Sequence, residues 1–256
     1  MRKIVPLLFA FVIATTSASL AQVGDVSKGA KGNKEKTRKS SDSDGDYRGG
    51  GGSGVFLFLE IFDVVNLMVS GQKDQLAQRF DQPYRVSLEA SLSGGYDNSE
   101  GTYLFLPSFR GNWGLFSTAL RSNRMQDRTG QFQTLDWQVI QFNFVNLPKF
   151  TMRFGQGFSY VQDIDDVYHE STVGFEVHLK ERRMNPSLEF RWSNDYSTDV
   201  VPRFEVNPSI DFQLMQSGKF KIHAMAGYLF QRYIGEQAGD HVPFHFIQTG
   251  LNLYFY

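Results

Sequence analysis

The chain has 256 residues, no cysteine, a formal net charge of −1 and 15% aromatic residues, including 24 Phe and 11 Tyr. Its near-balanced charge leaves no electrostatic footprint for nucleic acid, and the lack of cysteine excludes a disulfide frame or a thiolate metal site. Beyond the first segment no run of 18 apolar residues occurs, which argues against a helical membrane protein.

Residues 1–21, within "MRKIVPLLFAFVIATTSASLAQ", have the layout of a secretory signal. Arg2 and Lys3 form the positive head, Ile4 to Ala14 the apolar stretch, and Ser19-Leu20-Ala21 a small-x-small cleavage site before Gln22. Removing it leaves 24 Lys and Arg against 27 Asp and Glu. Residues 22–54 hold little to bury and read as a disordered periplasmic linker: a basic "KGAKGNKEKTRK", an acidic "SDSDGD" and a glycine-rich connector. Asp42, Asp44 and Asp46 have calcium-loop spacing without the bidentate Glu that such a loop needs, so no metal is expected there. Residues 55–82 read as a connector containing a short amphipathic helix over 55–70, whose β-branched and aromatic content also permits a strand. On that helix Glu60, Asp63, Asn66 and Ser70 fall near one stripe of an otherwise apolar surface.

From residue 83 onward the hydrophobic period is two. "YRVSLEASL" places Tyr84, Val86, Leu88, Ala90 and Leu92 on one face and Arg85, Ser87, Glu89 and Ser91 on the other. The pattern recurs in "RFEVNPSIDFQL" and "FKIHAMAGYLF", and predicts ten strands over 84–96, 102–110, 113–125, 134–145, 150–161, 168–179, 187–196, 203–215, 220–233 and 243–256. Most exceed the ~9–11 residues that a tilted strand needs to cross a bilayer. The fourth changes its outward parity, from Leu135 and Trp137 to Phe142 and Phe144, which predicts a bulge or a different register.

The connections alternate in character. Odd ones carry Asp97, Glu100, Asp127, Asp163, Asp165, Asp166, Asp199, Glu236 and Asp240 against one base, Arg128. Even ones, mostly tighter, carry Lys149, Lys180, Arg182, Arg183 and Lys219 against Glu181. An even strand count with short turns on one side places both termini on that side, the periplasmic one in a bacterial outer membrane.

The final "GLNLYFY" has Leu251, Leu253 and Phe255 alternating after Gly250, with Tyr256 out of phase. It resembles the C-terminal sorting signal of bacterial outer-membrane β-barrel proteins. The resemblance implies an all-β fold over 83–256: a closed antiparallel up-and-down transmembrane barrel, sorted by the barrel-assembly machinery and embedded among outer-membrane lipids and lipopolysaccharide. Closure satisfies every backbone group in hydrocarbon and leaves no sheet edge.

The face opposite the apolar one holds Arg85, Glu89, Arg110, Arg153, Glu176, His178, Glu189, Arg191, Arg203, Glu205, Asp211, Lys221 and His223. A pore selective for one ion class carries an excess of one sign, whereas this set is balanced. It predicts cross-strand pairs in a mostly filled lumen, and hence a structural or partner-binding role, the partner reached through 22–70. A small channel for ions or polar solutes is the alternative. A second alternative is a hydrolase at the outer rim. Asp163, Asp165 and His169, with Asp240 and His241, resemble the acid and His pairs of omptin-type proteases, and His169-x-Ser171 is similar to the His-x-Ser pair of lipid A deacylases. The strands are short for the first, and no third carboxylate suits the second, since Glu176 lies on the opposite parity from Ser171. No cofactor is expected.

Overall fold

The computed structural model describes residues 69–78, 83–195, 200–234 and 241–256. The signal, the linker and most of the 55–70 helix lie outside these residues; positions 69–77 are helical. A 3-10 turn at Pro83–Arg85 leads into ten strands. They are β1 (Val86–Asp97), β2 (Thr102–Trp113), β3 (Phe116–Gln126), β4 (Gln131–Asn146), β5 (Phe150–Val161), β6 (Asp166–Val177), β7 (Met184–Asp195), β8 (Val200–Ser217), β9 (Phe220–Ile234) and β10 (His241–Phe255). Each pairs antiparallel with its chain neighbours, and β10 returns to pair with β1, so the sheet is a closed barrel.

Strand pleat sorts the side chains. Outward rows are apolar: Leu88 and Leu92 on β1, Phe105 and Phe109 on β2, Trp137 on β4, Phe212 and Leu214 on β8, and Ile247, Leu251 and Phe255 on β10 are all exposed. Inward rows are polar or charged, and Ser87, Arg121, Asp136, Arg153, Glu170, Arg191, Arg203 and Glu205 are buried. An oily exterior around a charged interior inverts a soluble protein and is the arrangement of a transmembrane β-barrel. Aromatic side chains meet near both rims, as in the Tyr96–Tyr103 pair at one end and the Phe116–Phe142 pair at the other.

The parity change in β4 is a bulge region. Its register against β5 shifts between Trp137 and Ile140 and again between Phe142 and Val145, and Val139 and Ile140 both face outward. The extra residues let both Gln138 and Gln141 turn into the lumen, where neither is exposed. The two sets of connections differ less in length than the sequence suggests. Residues 98–101, 127–130 and 162–165 face 114–115, 147–149, 178–183 and 218–219, because several strands run past their expected limits. β7 gains Met184 to Pro186, which pair with Phe212 to Ile210 on β8.

At the tight-turn end the 69–77 helix meets the β2–β3 turn. The Gln72 side chain donates to Trp113 O at 2.8 Å and accepts from Leu115 N at 2.8 Å. The opposite, loop end closes its β1–β10 seam through Asp97, whose Oδ2 accepts His245 N at 2.6 Å.

Candidate functional site

The lumen is built in three layers. Nearest the loops the inward parity carries apolar residues. Leu104 and Leu106 from β2, Met125 from β3, Phe132 from β4, Leu229 and Tyr233 from β9, and Phe244 and Phe246 from β10 form one buried cluster. Phe132 meets Tyr233 edge-on at 5.2 Å, and Phe244 stacks on Phe246 at 5.9 Å. Met125, Leu229, Phe244 and Phe246 have no exposed surface at all. A bilayer-facing barrel therefore contains a small conventional core at one end.

The middle layer is a network of charges joined across the barrel. Arg121 on β3 holds Asp136 Oδ2 on β4 at 2.7 Å and Glu205 Oε2 on β8 at 2.9 Å. Arg203 on β8 reaches back to Asp136 Oδ1 at 2.9 Å, pairs with Glu170 on β6, and donates to Thr134 Oγ1 at 2.9 Å. Arg191 on β7 joins Glu170 at 2.5 Å to Glu189 at 3.0 Å. Ser159, Gln138 and Gln231 donate to Asp136, Glu170 and Glu205. Taking such charges out of water costs several kcal/mol per ion, so they persist only because pairs and hydrogen bonds meet nearly every lone pair.

Nearest the tight turns the packing loosens around a cavity of about 170 Å³. Arg110 on β2 bridges Glu89 at 3.4 Å and, across the barrel, Glu189 at 3.6 Å. Arg153 pairs with Glu176, and the Tyr254 hydroxyl donates to Asp211 at 2.7 Å. The mouth is covered by Arg182, stacked on the Tyr84 ring at 3.6 Å, and by Lys221, 5.4 Å above the Tyr256 ring. Three successive left-handed residues, Lys180, Glu181 and Arg182, shape the turn that delivers Arg182.

Among the residues singled out from sequence, the network directly engages Glu89, Arg110, Arg153, Glu176, Glu189, Arg191, Arg203 and Glu205. Arg85 is buried below the mouth, and its backbone oxygen accepts Gly114 N at 2.7 Å. His178 lies between Thr151 Oγ1 at 2.9 Å and Asn185 Oδ1 at 3.1 Å. His223 packs edge-on against Tyr254 at 4.8 Å, and neither of its ring nitrogens meets a hydrogen-bond partner among the described residues. Sequence reasoning missed Arg121, Asp136 and Glu170, which are central to the network. Glu170 shares the parity of Glu176 and could have been found; Asp136 sits on the bulged strand, where parity is ambiguous.

The rim candidates are not drawn together. Asp163 Oδ2 accepts from Gln133 N on β4 at 3.1 Å, and Asp165 Oδ1 accepts from the Tyr160 hydroxyl at the end of β5 at 2.8 Å, so the two carboxylates serve different local contacts. His169 and Ser171 share the outward face of β6, where Ser171 Oγ donates to Gln156 Oε1 at 3.2 Å. The nearest carboxylate in sequence, Glu170, points the other way into the lumen, held by Arg191 and Arg203. His241 opens β10 on its outer face, and Asp240 lies outside the described residues. Among the described residues no three His, Asp or Glu are grouped to hold a metal ion.

The sequence matches no protein-family profile and no curated protein. Among solved structures the barrel is similar to the NanC porin, at 10% identity over 65% of this chain and 99% of that chain, with a TM-score of 0.37. It is similar also to OccK2 (OpdF) of Pseudomonas aeruginosa, at 12% identity over 65% of this chain and 63% of that one, TM-score 0.30. A third is Neisserial surface protein A, at 9% identity over 66% of this chain and 94% of that one, TM-score 0.26. The fold, a closed antiparallel barrel with a lipid-facing apolar exterior, is that of bacterial outer-membrane barrel proteins.

Proposed function

We propose that this is an outer-membrane barrel that does not conduct and that serves as a structural or partner-binding element, with both termini and the tight turns in the periplasm. The observation that carries the reading is the apolar layer: Met125, Leu229, Phe244 and Phe246 are wholly buried inside the loop half of the lumen. A hydrophobic constriction with no room for water is a barrier to ions. The cross-barrel ion pairs beneath it add a second one. The orientation draws support from the segregation of acidic loops from basic turns. The hold of Gln72 on the β2–β3 turn supports a partner reached from the tight-turn side, since it fixes the 69–77 helix at that end. Contacts with lipopolysaccharide at the loop rim and with the assembly machinery at the last strand belong to the same reading.

Planar-bilayer recording from the purified, refolded protein tests it. A silent membrane is expected at moderate voltage; a steady open current would move the assignment to the second reading, a small channel, which the polar cavity in the turn half favours.

A further inference from the structure

The outer wall of the barrel is uncharged over most of its height. Among the strand residues whose side chains are described, the outward rows hold no Asp or Glu, and their Lys and Arg are Arg124 on β3 and Arg232 on β9. Both are exposed, and each lies two residues inside the loop end of its strand, at Gln126 and Ile234. A cation on the lipid face is costly at the bilayer midplane and costs little at the interface, so this level is that of the headgroups. An outward surface that carries bases and no acids at that level faces anions.

The two positions are not equivalent. Arg124 donates to Gln131 Oε1 on the neighbouring strand at 2.8 Å. Arg232 donates to no side chain among the described residues. Its guanidinium lies over the Phe204 ring of β8 at 5.8 Å, a contact through its face that leaves the N–H edge unspent. On its other side Arg232 stands in register with Pro243 of β10, which sets His241 and His245 on its two outward diagonals. Such diagonal neighbours stand about 7–8 Å apart, within reach of long and aromatic side chains, so an anion seated on Arg232 meets both rings. His245 is held in position: its Nδ1 meets the Tyr228 hydroxyl at 2.5 Å, and its ring lies 5.2 Å from that of Phe230. With the phenol donating to Nδ1, Nε2 carries the proton and is a donor.

We propose that Arg232, His241 and His245 form a site for a phosphate group of an outer-leaflet glycolipid, seated at the loop end of the β9–β10 pair. Arg232 takes the phosphate through its planar N–H fork, and the imidazoles donate from either side. Three donor groups around one point match the three acceptor oxygens of a phosphate monoester better than the two of a carboxylate. Beneath the site the small Ala224 and Ala226 of β9 lie beside Leu251 and Thr249 of β10, and Ile247 and Leu251 are exposed there, an apolar surface for acyl chains. The inference deepens the lipopolysaccharide contact of the reading above and rests on its orientation, with the loops outward. Lipid binding is read by mass and not by current, so the non-conducting role and this site can each fail alone.

The test is native mass spectrometry of the refolded full chain in detergent. Diphosphoryl lipid A is the probe, and dephosphorylated lipid A, phosphatidylglycerol and inorganic phosphate are the comparators. The probe is expected to bind saturably and about tenfold more tightly than either other lipid, the equivalent of one charge-assisted hydrogen bond. Millimolar inorganic phosphate is expected to leave it bound. Arg232→Gln is expected to weaken the probe by about tenfold, and His241→Gln by less. Arg124→Gln, which removes the base already held by Gln131, is expected to leave binding unchanged. Retained heat-modifiable gel mobility shows that each variant is folded. Equal binding of dephosphorylated lipid A or phosphatidylglycerol, displacement by inorganic phosphate, unchanged binding in folded Arg232→Gln, or an equal loss in Arg124→Gln would each overturn the proposal.

Discussion

Glu170 shows how single residues hold this lumen together. It has no exposed surface and takes Arg191, Arg203 and the Gln138 amide at once. Neutralising it leaves two guanidinium groups buried with less than their share of negative charge. Glu170→Gln is therefore expected to destabilise the folded barrel by about 3–5 kcal/mol, the usual cost of breaking a buried pair from one side. Urea unfolding in lipid vesicles would read it as a lowered midpoint; an unchanged midpoint would mean that the network is wetter than its geometry implies. The sequence reading missed this residue although its parity was there to find it, three and four strand periods from Glu176 and His178 on the same face, because a pleated strand leaves only two directions. Arg121, its neighbour in the network, was not legible, because "FSTALRSNRMQ" alternates too weakly for its polar face to stand out.

At the scale of strands, the bulge in β4 depends on its neighbour β5. Gly157 faces the bulge so closely that an added Cβ would lie 1.9 Å from Trp137 O and 2.6 Å from Gln138 Cα. No backbone adjustment short of breaking the β4–β5 pairing makes that room. Gly157→Ala is expected to abolish the heat-modifiable, folded form on refolding, whereas Gly130→Ala, with nothing within 4 Å, is expected to refold as the parent does. Equal refolding yields of the two variants would refute the close approach. Gly250 answers to the same physics at the barrel seam, where a Cβ would meet Leu92 O at 2.5 Å. The glycine of the last strand thus has a packing reason, whatever its place in a sorting signal: β10 must press against β1 for the sheet to close. Tyr256, out of phase with the strand, stacks on Tyr254 at 6.2 Å at the mouth.

For the molecule as a whole, the decisive feature is an ordinary apolar core placed inside an inverted barrel. It fills the loop half, while charges fill the middle and a polar cavity occupies the rest. If the seal is the barrier, thinning it should open a path. Phe244→Ala combined with Phe246→Ala is expected to give discrete currents in planar bilayers where the parent protein gives none, with folded mobility preserved as the control. Silence from the folded double variant would shift the barrier to the ion-pair layer. That layer joins strands from opposite sides of the barrel, as in Arg121 with Glu205 and Arg203 with Asp136.

What the sequence determined by itself is the direction of each side chain. The pleat repeats every two residues, so an alternating run declares one face for lipid and one for the interior, and ten such runs with polar connections suffice for a barrel. Even the parity change in β4 was visible, as a bulge or a shifted register, before the pairing with β5 decided for the bulge. Which interior residues meet was not visible, because a period of two says nothing about the strand standing opposite across the lumen. Arg203 finds Thr134 and Glu170, and Asn123 finds Tyr233, only once the sheet has closed and its stagger is set. The apolar seal escaped notice for the same reason: Phe132, Leu229 and Phe244 lie on three different strands, and only closure brings their inward faces to one level.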